Sequence, residues 1–309
     1  MITVVGSLNM DLVFNADKIP RPGETVLGKN FQQIPGGKGG NQADTIAKLG
    51  EKVNMIGCIG TDDLGFLLKK LLEKDGVDVT HILEKNHVAT GTAVIIVESS
   101  GDNCITVAPG ANYTLTPSEI KNLNQIITDS QLLLVQLENK IDAVKAALKI
   151  AKKSGIKTIL NPAPAVKLNK EMLMYADILT PNETELEILS DMKTDSLKNI
   201  EKAGKKLISK GANELVVTLG EKGCMYISKN RVEYFPAYKV KVIDTTAAGD
   251  SFNGALAVYL SQNKTIDEAI LFAMKVSAIT VTKPGAQISL PNIDEVNKFH
   301  TWIHVQGLK

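Results

Sequence analysis

Short, mainly apolar runs recur along the chain at 2–6 (ITVVG), 53–57 (VNMIG), 132–138 (LLLVQLE), 158–160 (TIL), 177–180 (DILT) and 214–220 (ELVVTLG). Runs that lack a polar face predict strands buried on both sides. Between them the apolar spacing becomes helical: Val144, Ala147, Leu148 and Ala151 share one side of 142–153, and Ile200, Ala203, Leu207 and Ile208 one side of 196–210. Strand alternating with helix predicts an α/β fold, a central mainly parallel sheet flanked by helices. Two regions break the rhythm. Residues 12–34 and 88–107 carry β-type runs (LVFNA, ETVLGKNFQQI, GTAVIIVES, NCITVA) joined by turn signals (PRPGE, SSGDN). They predict a small, mostly separate β-sheet placed to act as a lid. Open α/β sheets bind ligands at the carboxyl ends of their strands, so the loops after Gly6, Glu138, Thr180 and Leu219 should ring the site.

With 309 residues, 44% of them hydrophobic, the chain can bury a full core, and one domain over 1–309 is the expectation. Lys and Arg number 35 against 34 Asp and Glu, which gives no basic field for nucleic acid or an anionic membrane. Cys58, Cys104 and Cys224 are odd in number and far apart, as in reduced thiols. Met1 leads straight into an apolar strand, and no run nears the roughly 18 apolar residues of a membrane span. A soluble cytoplasmic protein is expected. His81 and His87 lie in a loop-like stretch and His300 and His304 at helical spacing in a polar tail, which is not a transition-metal ligand set.

The segment DTTAAGDSFNGALAVYL, 244–260, is the richest in chemistry. Phe252, Ala255, Leu256 and Tyr259 place Asp250 at a helix start, and Ala247, Ala248 and Gly249 leave the backbone open to a close ligand. Free N–H groups there attract a phosphoryl group, and a carboxylate in that turn can take a proton from an attacking hydroxyl. On spacing alone, an ordinary first-turn acid is the commoner explanation.

PGGKGGNQADTIAKLG, 35–50, joins a glycine cluster to a second helix. Lys38 is followed by Gly39, so it is no Walker A loop, and Gln42 stands where GxGxxG needs its third glycine. A set of donors for a polyhydroxyl ligand (Lys38, Asn41) and a flexible turn both remain open. Asn9 and Asp11 in GSLNMD suit vicinal hydroxyls, or an Asx turn. Asn182 and Glu185 in PNETELEIL form a helix capping box by pattern, with a phosphate or magnesium role as the alternative. TLGEKG, 218–223, fits a hairpin and a nucleotide-binding loop equally.

Together these segments resemble the ribokinase family of sugar kinases over nearly the full length. GSLNMD, PRPGETV, PGGKGGNQA, GANYTLTP, QLE, NPAPA, TPNETE, VTLGEKG, DTTAAGDSFNGA and TKPGAQIS occur in the family's order. The resemblance implies a parallel sheet flanked by helices, a β lid through which subunits form a homodimer, and transfer of the ATP γ-phosphoryl group to the 5-hydroxyl of D-ribose. It implies that Asn9, Asp11, Gly37, Lys38, Asn41 and Glu138 hold the sugar. Asp250 would be the base, and the N–H groups of Ala247, Ala248 and Gly249 an anion hole. Asn182, Thr218, Gly220 and Gly223 would lie on the nucleotide side, with Glu185 acting on Mg2+ through water. A K+ site would map to Asp244, Thr246, Thr280, Lys283, Gly285 and Ser289.

Two positions depart from the family pattern: Gly40 replaces a usual alanine, and Met274 a polar residue near adenine. Other sugar or nucleoside kinases of the family, acting on fructose, 2-keto-3-deoxygluconate or pseudouridine, remain alternatives, as does a sugar-binding sensor without catalysis. The failed GxGxxG argues against a nucleotide-binding dehydrogenase.

Overall fold

The structure, a computed structural model, describes residues 1–100 and 102–299, so His300 and His304 lie outside it. Its strands are β1 (Ile2–Val5), β2 (Asn9–Ala16), β3 (Gly28–Gly36), β4 (Val53–Gly60), β5 (Ile82–Lys85), β6 (Gly91–Glu98), β7 (Asn103–Ala108), β8 (Leu132–Val135), β9 (Lys157–Leu160), β10 (Ile178–Leu179), β11 (Glu214–Thr218), β12 (Gly223–Ile227) and β13 (Val232–Pro236).

Nine of them form one sheet in the order β13-β12-β11-β10-β9-β8-β1-β4-β5. The strands from β11 to β5 in that order run parallel, while β12 and β13 are antiparallel at one edge. Every residue of β1, β4 and β8 is buried, which is why these strands read as unbroken apolar runs. Successive side chains go to opposite faces. Leu132 and Leu134 join the core on the side of the helices Lys38–Lys48, Ala248–Ser261 and Ile266–Thr280, whereas Leu133 and Val135 join the core under Ile141–Lys153 and Leu197–Lys210.

The remaining four strands make the small sheet, in the order β3-β2-β6-β7. Its extent differs from the sequence reading. β2 begins at Asn9, because Asn9 pairs with both Gly36 and Gly91, and β3 begins only at Gly28. Glu24 explains the late start: its N–H donates to Arg21 O and its carboxylate accepts from Arg21 N–H, so PRPGE closes as a turn. One face of this sheet carries exposed apolar side chains, among them Phe14 and Phe31, whose rings lie 4.8 Å apart. Among the described residues no helix is long and apolar enough to cross a membrane. Cys58, Cys104 and Cys224 are all free thiols.

The helices Lys38–Lys48 and Ala248–Ser261 carry the two chemistry-bearing motifs and meet with almost no space between them. A Cβ on Gly254 would stand 2.7 Å from Thr45 Cβ and 3.0 Å from Gln42 O. Alanine normally gains about 1 kcal/mol over glycine inside a helix. Overpacking costs about 1–3 kcal/mol. The contact is with a Cβ and a backbone oxygen rather than a flexible chain end, so Gly254→Ala should be destabilising, read as a lowered urea midpoint. An unchanged or raised midpoint would show that the helices can part at no cost.

Candidate active site

Ala247, which caps the helix Ala248–Ser261, sits in the left-handed region at φ 59°, ψ 7°. A non-glycine residue there stores about 1–2 kcal/mol of strain, and such positions concentrate at functional sites. The bend turns the Ala248 N–H back onto Thr245 O at 3.2 Å, while the N–H groups of Gly249 and Asp250 have no protein acceptor. The Ala247 N–H likewise has none, so of the Ala247, Ala248 and Gly249 set only the Ala248 N–H is engaged, and Asp250 adds a further open donor. A Cβ on Gly249 would meet nothing within 4 Å, so this turn faces open space.

Asp250 follows at once and is 8% exposed. Its Oδ2 accepts from Asn41 Nδ2 at 2.9 Å and its Oδ1 from Gln42 Nε2 at 3.1 Å. Gln42 is itself held, accepting from Gln136 Nε2 at 2.5 Å and donating to Asn161 Oδ1 at 3.2 Å. The chain of amides continues: Asn161 Nδ2 donates to Thr180 O, Thr180 Oγ1 to Asn253 Oδ1, and Asn253 Nδ2 to Gly249 O. Gln42, rejected as a missing glycine, is thus the second ligand of the Asp250 carboxylate.

Two cavities lie in this region, and Asp250 lines the second of them. One, of about 160 Å³, is walled by Asn9, Asn112, Tyr113 and Glu138 with Val107 of the small sheet above them. The other, of about 210 Å³, is a polar cleft lined by Lys38, Asn182, Glu185, Thr218, Asn253 and the turn from Ala247 to Asp250. Glu138 accepts from Ser7 Oγ and from the Lys38 N–H at 3.0 Å, which fixes the start of the Lys38 helix beside it. Burial opposes the charge of Lys38, but Asp250, Glu138, Glu185 and Asp11 around it hold its pKa above the ordinary value. Burial, with Glu138 and Asp250 nearby, pushes Asp11 up to about 7. Burial likewise raises Glu185, against the Asn182 N–H that stabilises its charge.

Asn182 and Glu185 make the capping box predicted from their spacing: Glu185 N–H donates to Asn182 Oδ1 at 2.7 Å, and Asn182 N–H to Glu185 Oε2 at 2.8 Å. Both also line the cleft, so cap and site are not exclusive. TLGEKG is a hairpin turn between β11 and β12; Thr218 faces the cleft, whereas Gly220 and Gly223 serve the turn at φ 57° and 107°. Met274 is 7% exposed in the core, its Sδ 3.8 Å from Cys224 Sγ, and lines neither cavity.

The residues mapped to a monovalent cation come together. Asp244 accepts from Thr246 N–H and Oγ1 and from Gly285 N–H, and Ile243 and Asp244 donate to Val281 O. This ties 244–246 to 281–285 and leaves the carbonyls of Thr246, Lys283 and Gly285 without protein donors. Thr280 O and Ser289 Oγ are spent locally, on Lys283 N–H and Ala286 O. No cluster of three or more His, Cys, Asp or Glu able to hold a metal occurs among the described residues.

Sequence reading left Ser7, Gln42, Asn112, Asn161 and Asn253 unassigned. All five lie inside motifs of the ordered series, Ser7 in GSLNMD, Gln42 in PGGKGGNQA, Asn112 in GANYTLTP, Asn161 in NPAPA and Asn253 in DTTAAGDSFNGA, and that membership is the signal the sequence offers.

A buried carboxylate in a cleft of free N–H donors, with a second cavity lined by amides and a carboxylate in the same region, is a layout suited to passing a group between two bound substrates. The chain belongs to the pfkB family of carbohydrate kinases, whose sequence profile matches residues 1–293. It is 43% identical to the ribokinase of Haemophilus influenzae over 298 residues, covering 96% of this chain and 97% of that protein. It is also 36% identical to a deoxyribokinase of Salmonella typhi over 299 residues, covering 96% and 98%. The structure of Arabidopsis thaliana ribokinase complexed with ribose and ATP superposes with a TM-score of 0.92 at 32% identity, covering 96% of this chain and 97% of that one.

The raised acids make stability depend on pH. Asp44, fully buried beside Lys48, is also pushed up to about 7 by its burial. The folded chain keeps these two protons up to about pH 7, whereas unfolded carboxylates release them near pH 4. Their contribution is therefore complete below about pH 4 and is lost as the pH rises to 7. The fall in urea midpoint between pH 5.5 and pH 8 should shrink in Asp11→Asn and in Asp44→Asn. An undiminished fall in both would show that neither holds its proton in the fold.

Proposed function

We propose that this chain transfers the γ-phosphoryl group of ATP to the 5-hydroxyl of D-ribose, giving D-ribose 5-phosphate and ADP, with Asp250 as the base. The observation that carries the reading is the place of Asp250: buried, held at both oxygens by Asn41 and Gln42, and lining the polar cleft beside free N–H donors.

The cavity under the small sheet takes the sugar, with Asn9, Asp11, Gly37, Lys38, Asn41 and Glu138 around it. The cleft takes the phosphates, against the Gly249 and Asp250 N–H groups and the positive end of the helix dipole. Asn182, Thr218, Gly220 and Gly223 stand on the nucleotide side, as does Met274, from within the core behind it. As the sugar oxygen bonds to phosphorus, its proton passes to Asp250 and the bond from phosphorus to the ADP oxygen breaks. Lys38, kept charged by its carboxylate neighbours, balances the phosphoryl group in transit. Closure of the small sheet over the sugar excludes water that would otherwise hydrolyse ATP.

Glu185 fits Mg2+: its Oε1 is unused, and Mg2+ commonly binds through one carboxylate, waters and substrate phosphates. When bound, the ion neutralises phosphate charge. The free carbonyls of Thr246, Lys283 and Gly285 are oxygen donors suited to K+, and Asp244 fixes their loops. We read the chain as one domain, cytoplasmic, and a homodimer through the apolar face of the small sheet, where Phe14, Phe31 and Val94 are exposed.

ADP release measured over D-ribose, 2-deoxy-D-ribose, D-fructose, 2-keto-3-deoxygluconate and pseudouridine, with and without K+, tests the assignment. D-ribose should give the highest kcat/KM, and a clear preference for another acceptor would refute ribose. Asp250→Asn should still bind ribose while kcat falls by about 10²–10⁴-fold. Near-normal turnover in that variant removes Asp250 as the base.

A further inference from the structure

Asn112 is 1% exposed, in the 3-10 turn Gly110–Thr114 just after β7, where the small sheet returns to the core. Its amide makes three hydrogen bonds. Leu8 N–H donates to Oδ1 at 2.9 Å, and Nδ2 donates to Leu8 O at 3.0 Å and to Asn9 Oδ1 at 2.8 Å. The first two settle which way this amide faces, because a backbone N–H cannot accept and a carbonyl cannot donate. The third then settles Asn9. The atom opposite the Asn112 NH2 group has to be an oxygen, so Asn9 must turn its own NH2 away from Asn112. That NH2 has no protein acceptor, and both residues line the cavity assigned to the sugar. The fit is tight: a Cβ on Gly91, which pairs with Asn9 across β2 and β6, would lie 2.2 Å from both Asn112 Nδ2 and Asn9 Oδ1.

We propose that Asn112 is a positioning residue that turns the Asn9 NH2 toward the sugar, so that Asn9 donates a hydrogen bond to one of its hydroxyl oxygens; this rests on the reading of that cavity as the ribose site. An unheld amide presents either its oxygen or its NH2, and a hydroxyl satisfies both, so it distinguishes little. Once latched, Asn9 keeps its Oδ1 against Asn112 and Gly91 and turns its NH2, a donor, away from them, while Asp11 and Glu138, when ionised, offer only acceptors. A hydroxyl that gives its proton to a carboxylate and takes one from Asn9 meets both demands at once. The selectivity lies in the pattern of donors and acceptors, set by a residue that need not touch the sugar through its own amide.

The test is a double-variant cycle read by steady-state kinetics. Asn112→Asp keeps the size and the acceptor for Leu8 N–H but removes both donors, so the new carboxylate draws the Asn9 NH2 round toward itself. KM for D-ribose should rise about tenfold, the loss of one good hydrogen bond. KM for ATP should be unchanged and kcat nearly so. Asn9→Ala combined with Asn112→Asp should be no worse than Asn9→Ala alone, since Asn112 acts through Asn9. An unchanged ribose KM, additive losses, or an equal rise in the ATP KM overturns the proposal. Independently of any Asn112 variant, ribose titrated into the wild-type protein should shift the Asn9 side-chain amide proton resonances, assigned by their loss in Asn9→Ala; no shift overturns it too. Wild-type turnover on D-ribose in the same assay tests the underlying reading by itself. If another sugar proves better, the same cycle on that sugar still decides the role of Asn112.

Discussion

A carboxylate taken out of water must be given hydrogen-bond donors or give up its charge, and Asp250 obtains two from side chains lying 209 and 208 residues earlier. Much of the site follows from that requirement. Asn41 and Gln42 reach Asp250 only if their helix lies directly against the one that carries it, and a missing side chain at Gly254 allows the approach. Gln42 can donate steadily only if its own oxygen is occupied, which Gln136 does from the end of β8. Asn161 after β9 and Thr180 after β10 continue the chain of amides to Asn253 and so to the Gly249 carbonyl. The carboxyl ends of three parallel strands are thereby tied to the turn that exposes the free N–H groups. Parallel sheets place ligands at these ends. Here the means is a buried polar network in which most members are satisfied, and such networks hold geometry better than apolar contacts do.

The features legible in the sequence are those whose causes are local. Doubly buried strands leave unbroken apolar runs, and the capping box of Asn182 and Glu185 is set by a three-residue spacing. The start of β2 at Asn9 depends instead on pairing with Gly36 and Gly91, and no local pattern records it. Gln42 illustrates the limit best. Judged against a glycine motif it is a defect, and only the folded chain brings it to Asp250. Asn112 sat in a noticed motif, but its partners Leu8 and Asn9 are 104 and 103 residues away. Among the expected anion-hole donors only the Ala248 N–H is turned away, because the left-handed conformation of Ala247 redirects it onto Thr245 O, and an alanine gives no hint of positive φ. The resemblance assigns Met274 to the adenine side, and no local pattern shows that the helix Ile266–Thr280 turns its sulfur onto Cys224.

Charge explains why the two cavities differ. Four carboxylates, from Asp11, Glu138, Glu185 and Asp250, act on the single ammonium of Lys38. On the side proposed for the sugar Glu138 supplies acceptors, which suits hydroxyl protons, and burial, with Glu138 and Asp250 nearby, keeps the proton on Asp11 up to about 7. Phosphates brought to the other side would worsen this imbalance. The donors present there are the free N–H groups at a helix start, equivalent to about half a positive charge, and Lys38. In the proposed reaction the proton transfer itself relieves the conflict. When Asp250 takes the hydroxyl proton, one carboxylate charge disappears from the place where phosphoryl charge is arriving, and the Asn41 and Gln42 amides that held the anion keep the neutral acid in line. A base remote from the phosphoryl group would leave that repulsion standing in the transition state, which is the physical reason for seating the acid in the wall of the polar cleft beside the free N–H groups.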